Sequence, residues 1–128
     1  MDTHVTPPLK DEEAQHPVAG VWRGPLREVV HAFARGDYGL ARRVSGVEAV
    51  DPETAEHIRA NVADYGATLV DLPEETWNTS VAQWQGTHWE VLVDLWTAEE
   101  GPSDLVLHCD IRQLDDEYRI KVHLVYVP

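Results

Sequence analysis

The sequence predicts an α+β domain in which N-terminal amphipathic helices pack on one face of a four-stranded antiparallel meander. Three observations lead to this prediction. Apolar residues recur at helical spacing in the first half of the chain, whereas apolar and polar residues alternate in the second half. Turn-forming residue pairs separate the apolar runs of the second half, as expected for consecutive antiparallel strands. The length of 128 residues suits one domain.

Residues 1–20 are predicted to form a mobile N-terminal tail that precedes a single domain at residues 21–128. The segment contains several prolines and a charged run from Lys10 to Glu13, and its apolar residues follow no period. Ordered structure is expected to begin at Val21 and Trp22.

Two amphipathic helices are predicted to follow the tail. The first follows Gly24-Pro25, with Pro25 in its first turn, a position that suits proline. Its apolar face consists of Leu26, Val29, Val30 and Phe33. The second begins at Asp51-Pro52, with Asp51 as N-cap, and ends at Gly66. A shorter helical segment is expected over residues 38–43.

Four strands are predicted in the second half of the chain, at residues 78–84, 89–96, 104–112 and 118–127. Two-residue turns are expected at Gln85-Gly86 and at Asp115-Asp116. Residues 67–72 are a further candidate for a short strand.

Alternation along these strands gives the predicted sheet two different faces. One face is almost wholly apolar, so we expect the helices to bury it. This predicted core face consists of Trp84, Trp89, Val91, Val93, Leu95, Leu105, Leu107, Cys109, Ile111, Tyr118, Ile120, Val122, Leu124 and Tyr126.

The second face mixes charged and apolar residues. With two-residue turns, Glu90, Asp110 and Lys121 are expected to form one row across the strands, with Val81. The next row contains His108 beside His123. Asp94 lies one row further, at an apolar end that includes Trp77, Trp96, Val106 and Val125.

His108, His123 and Asp94 have the residue types of an acid–base or metal site. The alternative is that they are structural neighbours in a sheet, in which case two adjacent imidazoles disfavour each other's protonation. We predict no metal and no cofactor, and we assign no catalytic residue. Motifs for phosphate loops, dinucleotide binding and nucleophile elbows do not occur in the sequence.

The charge distribution favours a protein partner of opposite charge. The chain has 10 Lys+Arg and 23 Asp+Glu, a formal net charge of −13, which argues against binding to nucleic acid and to anionic membranes. No Lys or Arg occurs between Arg59 and Arg112. This acidic stretch is expected to speed association with a basic protein. The alternative is that the charge serves solubility alone.

The partner-binding residues predicted from this pattern are two tryptophans and three acids near the loop at residues 97–103. Tryptophan is enriched at interface centres, and the acidic loop suits a basic partner. The set is Trp77, Trp96, Glu99, Glu100 and Asp104.

The composition also predicts a location. The chain start lacks a basic segment followed by an apolar one, and no run approaches 18 apolar residues. A single cysteine cannot form an internal disulfide. We therefore expect a cytoplasmic protein.

The chain resembles an uncharacterised bacterial family of short acidic domains of unknown function. The resemblance is carried by the patterns W-N-T-S-V-A-Q-W at residues 77–84, W-E-V-L-V-D-L-W at 89–96, E-E-G-x-S-D-L at 99–105 and V-Y-V-P at 125–128. It implies no activity and no site residues. The predicted fold is also similar to nuclear-transport-factor-like domains, cystatin-like domains and small immunity proteins.

Three functional hypotheses follow. The first is a small acidic protein-binding module, with an immunity-type role as one form of it. The second is a small-molecule-binding or enzymatic domain that uses His108, His123 and Asp94. The third is a homodimer that buries the mixed face without any chemistry.

Overall fold

A computed structural model describes residues 6–128, which form two helices and a five-stranded antiparallel sheet. The strands lie side by side in chain order, and a 3-10 helix, Glu74–Asn78, precedes the second of them. The α+β prediction is therefore confirmed, but with five strands instead of four. The elements are β1 (His16–Pro17), α1 (Gly20–Ala34), α2 (Pro52–Tyr65), β2 (Val81–Trp84), β3 (Trp89–Thr97), β4 (Gly101–Leu114) and β5 (Glu117–Tyr126).

The additional strand comes from the segment predicted as a tail. His16 and Pro17 pair with Ala82 and Val81 of β2. Pro17 has no N–H to donate, so it fits an edge strand. A two-residue strand has no periodicity, which is why the sequence pattern missed it. The mobility expected for residues 1–20 stays a prediction. Residues 1–5 lie outside the part of the chain that the structure describes.

Helix α1 begins earlier than predicted. It starts at Gly20, and Pro25 lies inside it instead of at its first turn. The predicted apolar face of α1 is buried. Pro25 has no N–H, so it removes one backbone hydrogen bond from α1. The helix is therefore stabilised mainly by the burial of its apolar face against the sheet.

Helix α2 has the predicted ends. The Asp51 carboxylate accepts a hydrogen bond from the Thr54 N–H at 2.9 Å, and this bond lowers the pKa of Asp51. Gly66 closes the helix in the left-handed conformation, with φ +83°. The short helix expected over residues 38–43 is wrong. The chain turns there, and the Asp37 carboxylate accepts from the N–H groups of Ala41 and Arg42.

The helices bury the core face of the sheet. Along β3, buried residues alternate with partly exposed ones, so one face is covered and the other is open. Trp22 of α1 is 1% exposed and packs edge-on against Trp89 and Tyr118, with ring centroids 4.9 and 5.5 Å away. These contacts join α1 to β3 and β5.

The strand register confirms one predicted turn and corrects the other. The β4–β5 turn at Asp115-Asp116 has two residues as expected, with Leu114 opposite Glu117. The β2–β3 turn has four residues, because Trp84 pairs with Trp89. This shift places Gln83 opposite Glu90, where Val81 was expected.

A β-bulge at His123 reverses the alternation at the end of β5. Cys109 pairs with Val122 and His108 with Leu124, which leaves His123 as the extra residue. Val125 is therefore fully buried in the core. Leu124 and Tyr126 were predicted on the core face, but they lie on the open face.

Loop segments cover part of two strand edges. On the outer edge of β5, Ile120 N–H donates to Gly46 O at 2.8 Å and Ile120 O accepts from Glu48 N–H at 2.9 Å. The part of β3 that extends past β2 bonds to residues 68–70, including Val70 N–H to Trp96 O at 3.1 Å. Strand edges that are covered in this way do not pair with other chains at those residues.

Candidate functional site

The outer face is the open side of the sheet, opposite both described helices. Most of its side chains are partly exposed, in contrast to the buried residues that alternate with them. It consists of Val81, Gln83, Glu90, Leu92, Asp94, Trp96, Val106, His108, Asp110, Arg112, Arg119, Lys121, His123, Leu124 and Tyr126.

An apolar strip occupies the centre of the outer face. Val106, at 6% exposure, is covered by its neighbours on the same face, where Asp94 and Tyr126 flank it across the strands. The Trp96 ring lies close to Gly101, where an added Cβ would be 3.6 Å from the ring. The members of the strip are Leu92, Trp96, Val106, Leu124 and Tyr126.

A histidine–carboxylate cluster lies beside the strip. His108 Nε2 is 3.6 Å from Glu90 Oε2 and 3.9 Å from Asp110 Oδ1, and His88 Nε2 is 3.8 Å from Asp110 Oδ1. The His108 and His123 rings have centroids 4.8 Å apart. The cluster is defined by His88, Glu90, His108, Asp110 and His123.

The cluster differs from the predicted grouping of Asp94, His108 and His123. The two histidines are adjacent, although the bulge and not a strand pair brings them together. Asp94 aligns with Val106, one row from His108 as predicted, but the carboxylates within 4.0 Å of His108 are those of Glu90 and Asp110. Sequence reasoning had placed those two acids in a structural ladder. The predicted register already placed Glu90 and Asp110 in the row next to His108. This proximity could have identified them as the carboxylates near that histidine.

His108 is the most enclosed member of the cluster. Its side chain is 15% exposed, and its buried Nε2 has no hydrogen-bond partner within the described residues. The Tyr126 hydroxyl lies 3.5 Å from His108 Nδ1. Between residues 6 and 128, no group of three or more His, Cys, Asp and Glu side chains is arranged to hold a metal ion. Cys109 lies in the core, where burial raises the pKa of its thiol.

The acidic tip, formed by Glu99, Glu100 and Asp104, lies at the β3–β4 turn. The Glu99 carboxylate accepts from the Thr68 N–H at 2.8 Å and from the Thr68 hydroxyl at 3.0 Å. The Tyr65 hydroxyl donates to Glu100 Oε1 at 2.7 Å and accepts from the Asp104 N–H at 3.1 Å.

Two of the three tip carboxylates thus anchor the loop to the end of α2. Their donors are neutral groups, so the negative charge of the tip stays uncompensated. Of the three, only the Asp104 side chain is without a protein partner among the described residues. Glu99 and Glu100 have a structural role in addition to any role in binding.

Trp77 does not belong to the outer face. It is 4% exposed and lies under α1, with the Arg23 and Arg27 guanidinium groups 5.5 and 5.6 Å from its ring centroid. The predicted placement is wrong because the 3-10 helix Glu74–Asn78 turns the chain before β2 begins at Val81.

Glu99 is expected to make the stability of the chain sensitive to acid. The Thr68 N–H bond lowers the pKa of Glu99 from its ordinary value of 4.5. Its contribution to the free energy of unfolding is therefore present above pH 4.5 and lost as the pH falls through the lowered pKa.

Urea unfolding of wild type and Glu99→Gln at neutral and acidic pH measures this loss of stability. Wild type should lose more stability on acidification than Glu99→Gln, whereas Glu75→Gln, at an exposed residue, should follow wild type. An equal loss in wild type and Glu99→Gln would contradict the assignment.

A protein-family model matches most of the chain and identifies its family. The model of the family described as "Domain of unknown function (DUF7668)" matches residues 30–128. The chain belongs to the DUF7668 family. The match confirms the resemblance to an uncharacterised family, and it covers α2 and strands β2 to β5 together with the end of α1. No curated protein and no solved structure matches the chain significantly.

Membership of DUF7668 assigns no activity, so the function has to be argued from the surfaces of the molecule. Neither helix in the described part of the chain is long and apolar enough to cross a membrane. The outer face and the acidic tip are the features that most need a functional explanation.

Proposed function

We propose that this chain is a protein-binding module that docks a basic protein partner on the outer face of its sheet. The observation that carries the proposal is the apolar strip, whose members Leu92, Trp96, Leu124 and Tyr126 are partly exposed, with carboxylates at both ends. Asp94 and the acidic tip lie at one end. Glu90 and Asp110 lie at the other end, where Lys121 shares their row. A cytoplasmic location is part of the proposal.

The composition of this surface suits a protein interface. Interface centres are enriched in Trp and Tyr, and their rims are polar. Trp96 and Tyr126 supply the aromatic groups, and the carboxylates around them supply a charged rim. An apolar patch with such a rim on a small soluble domain is typical of an association site.

The charge of the surface defines the partner. Between residues 60 and 111 the chain has no Lys or Arg, and both the acidic tip and β3 fall in this range. A basic partner is attracted to such a surface at a distance, and an acidic one is repelled. An immunity-type role is the form of this function in which the partner is a basic toxic protein.

The enzymatic alternative has less geometric support. It requires Asp94 to act with His108 and His123, whereas among the described residues the carboxylates within 4.0 Å of His108 are those of Glu90 and Asp110. A purely structural homodimer is disfavoured relative to the binding of a basic protein, since a net charge of −13 opposes self-association.

Capture from native cells at low and moderate salt, followed by quantitative mass spectrometry, tests the proposal. The first variant neutralises three acids near the tip that have no described side-chain hydrogen bond: Asp64→Asn, Asp94→Asn and Asp104→Asn. Leu92→Lys is the second variant and places a positive charge in the apolar strip. Both should reduce capture of a basic partner by about tenfold or more. Capture by wild type should also weaken as salt increases.

The matched control removes three charges at the opposite end of the sheet, with Glu13→Gln, Asp116→Asn and Glu117→Gln. It should capture the partner as well as wild type does. Equal capture by all four proteins would contradict binding through the outer face. A wild-type dimer in light scattering that Leu92→Lys converts to a monomer would also contradict it, because the face would then serve self-association.

A further inference from the structure

A cleft of about 310 Å³ lies between residues 43–47 and the β4–β5 hairpin. Its charged lining residues are Arg43, Arg119 and Glu117, and its apolar wall includes Leu114 and Tyr118. The cleft lies at the opposite end of β4 from the acidic tip. It borders the end of the outer face that lies farthest from the acidic tip, and it is distinct from the apolar strip proposed to bind a protein.

The two arginines of this cleft make no ion pair among the described residues, unlike three others of the chain. Arg27, Arg35 and Arg59 each pair with a carboxylate. Within the described residues, neither Arg43 nor Arg119 has a carboxylate oxygen within 4.0 Å.

Three more cations lie near these arginines in the chain or in the sheet, and none of them has an ion pair among the described residues. Arg112 lies directly opposite Arg119 across β4 and β5, and Arg42 adjoins Arg43 in the loop. Lys121 lies on β5 in the row of Asp110. Like charges placed opposite each other destabilise a sheet. An anion held by Arg119 would add a counter-charge to this arginine pair.

The loop that supplies Arg43 is held in place by the sheet. Residues 44–47 form a turn, closed by Val47 N–H to Val44 O at 3.1 Å, with Gly46 at φ +79°. Gly46 O accepts from the Ile120 N–H at 2.8 Å, which ties the turn to β5. The Ser45 hydroxyl lines the same cleft. A loop that is fixed before binding loses little conformational entropy when a ligand arrives.

We propose that this cleft binds a small organic molecule that carries a phosphate group. Arg43 and Arg119 would hold the phosphate, because the planar guanidinium matches its oxygens in bidentate fashion. Leu114, which is 50% exposed, and the ring of Tyr118 would contact the organic part. Glu117 repels a second anionic group and favours a hydroxyl or amine near it. The volume is at the lower end of the range for small-molecule sites, roughly 300 Å³ upward.

Titration of the full chain, labelled with ¹⁵N, tests this proposal by amide chemical shifts at constant ionic strength. The probes are inorganic phosphate and phenyl phosphate. Both should give saturable shifts confined to residues 42–47 and 112–121, and phenyl phosphate should bind at least about tenfold more tightly. The double variant Arg43→Gln and Arg119→Gln should weaken phenyl phosphate binding by at least about tenfold.

Arg27→Gln is the control, because it removes a positive charge outside this cleft. It should bind both probes as wild type does. Both substituted arginines of the test variant are exposed, so its amide spectrum should show an intact fold. Shifts that do not saturate, or binding that survives the double variant, would overturn the site. Equal affinity for the two probes would overturn the assignment of an organic ligand.

Discussion

Replacement of Trp22 by alanine is expected to lower the free energy of unfolding by about 3 kcal/mol. Trp22 is 1% exposed and contacts Trp89 and Tyr118, so its removal leaves a cavity between α1 and the sheet. Its buried Nε1 has no hydrogen-bond partner in the described part of the chain, and the loss of this unsatisfied donor offsets part of the cost. The expected value is therefore at the lower end of the range for large aromatic residues.

Urea unfolding measures this effect, with Val21→Ala as the control on the same helix. Val21 is 53% exposed, so its replacement should change the free energy of unfolding by less than about 0.5 kcal/mol. A loss below about 1 kcal/mol for Trp22→Ala would contradict the packing of α1 on β3 and β5.

Removal of residues 1–18 is expected to lower the free energy of unfolding by about 3 kcal/mol. The deletion exposes core that Val18 covers, since Val18 is fully buried. It also removes β1 and the Leu9 carbonyl that accepts from Trp89 Nε1 at 2.9 Å. The Lys10 ammonium, 5.1 Å from the Trp84 ring centroid, is lost as well.

The same urea unfolding measurement compares the deletion with Glu13→Gln, an exposed change inside the deleted segment. Glu13→Gln should alter the free energy of unfolding by less than about 0.5 kcal/mol. A deletion variant as stable as the full chain would instead support the prediction that residues 1–20 form a mobile tail.

The regular elements could be predicted from the sequence because each has a strong period. The faces of α1 and α2 follow the helical spacing, and the Asp51 cap and Gly66 stop mark the ends of α2. Strands β3 and β4 alternate clearly over most of their length. Strand β1 could not be found in this way, because two residues show no period and their pairing depends on β2.

The register of two neighbouring strands could be predicted only where the length of the turn between them could be predicted. Asp115-Asp116 gave the correct pairing of β4 with β5, so Glu90, Asp110 and Lys121 share a row as expected. The β2–β3 turn contains four residues, and no sequence signal distinguished this from two. The bulge at His123 has no signal of its own, and it moved Leu124 and Tyr126 to the outer face.

The same errors limited what could be predicted of the site. Trp96 and the acidic tip were located correctly, but the tip's hydrogen bonds to Tyr65 and Thr68 depend on tertiary contacts. Trp77 was misplaced because a 3-10 helix was interpreted as the approach to a strand. The arginine cleft joins Arg43 to Arg119, which are distant in sequence, so only the fold brings them together.

The most direct test of the proposed docking surface is site-specific photo-crosslinking in native cells. A benzophenone side chain replaces His123, an exposed residue of the outer face, in one variant and His57, an exposed residue of α2, in the other. We predict a specific crosslinked adduct with a basic protein at position 123 and none at position 57. An adduct at position 57 alone, or the absence of any at position 123, would contradict the docking of a protein partner on the outer face.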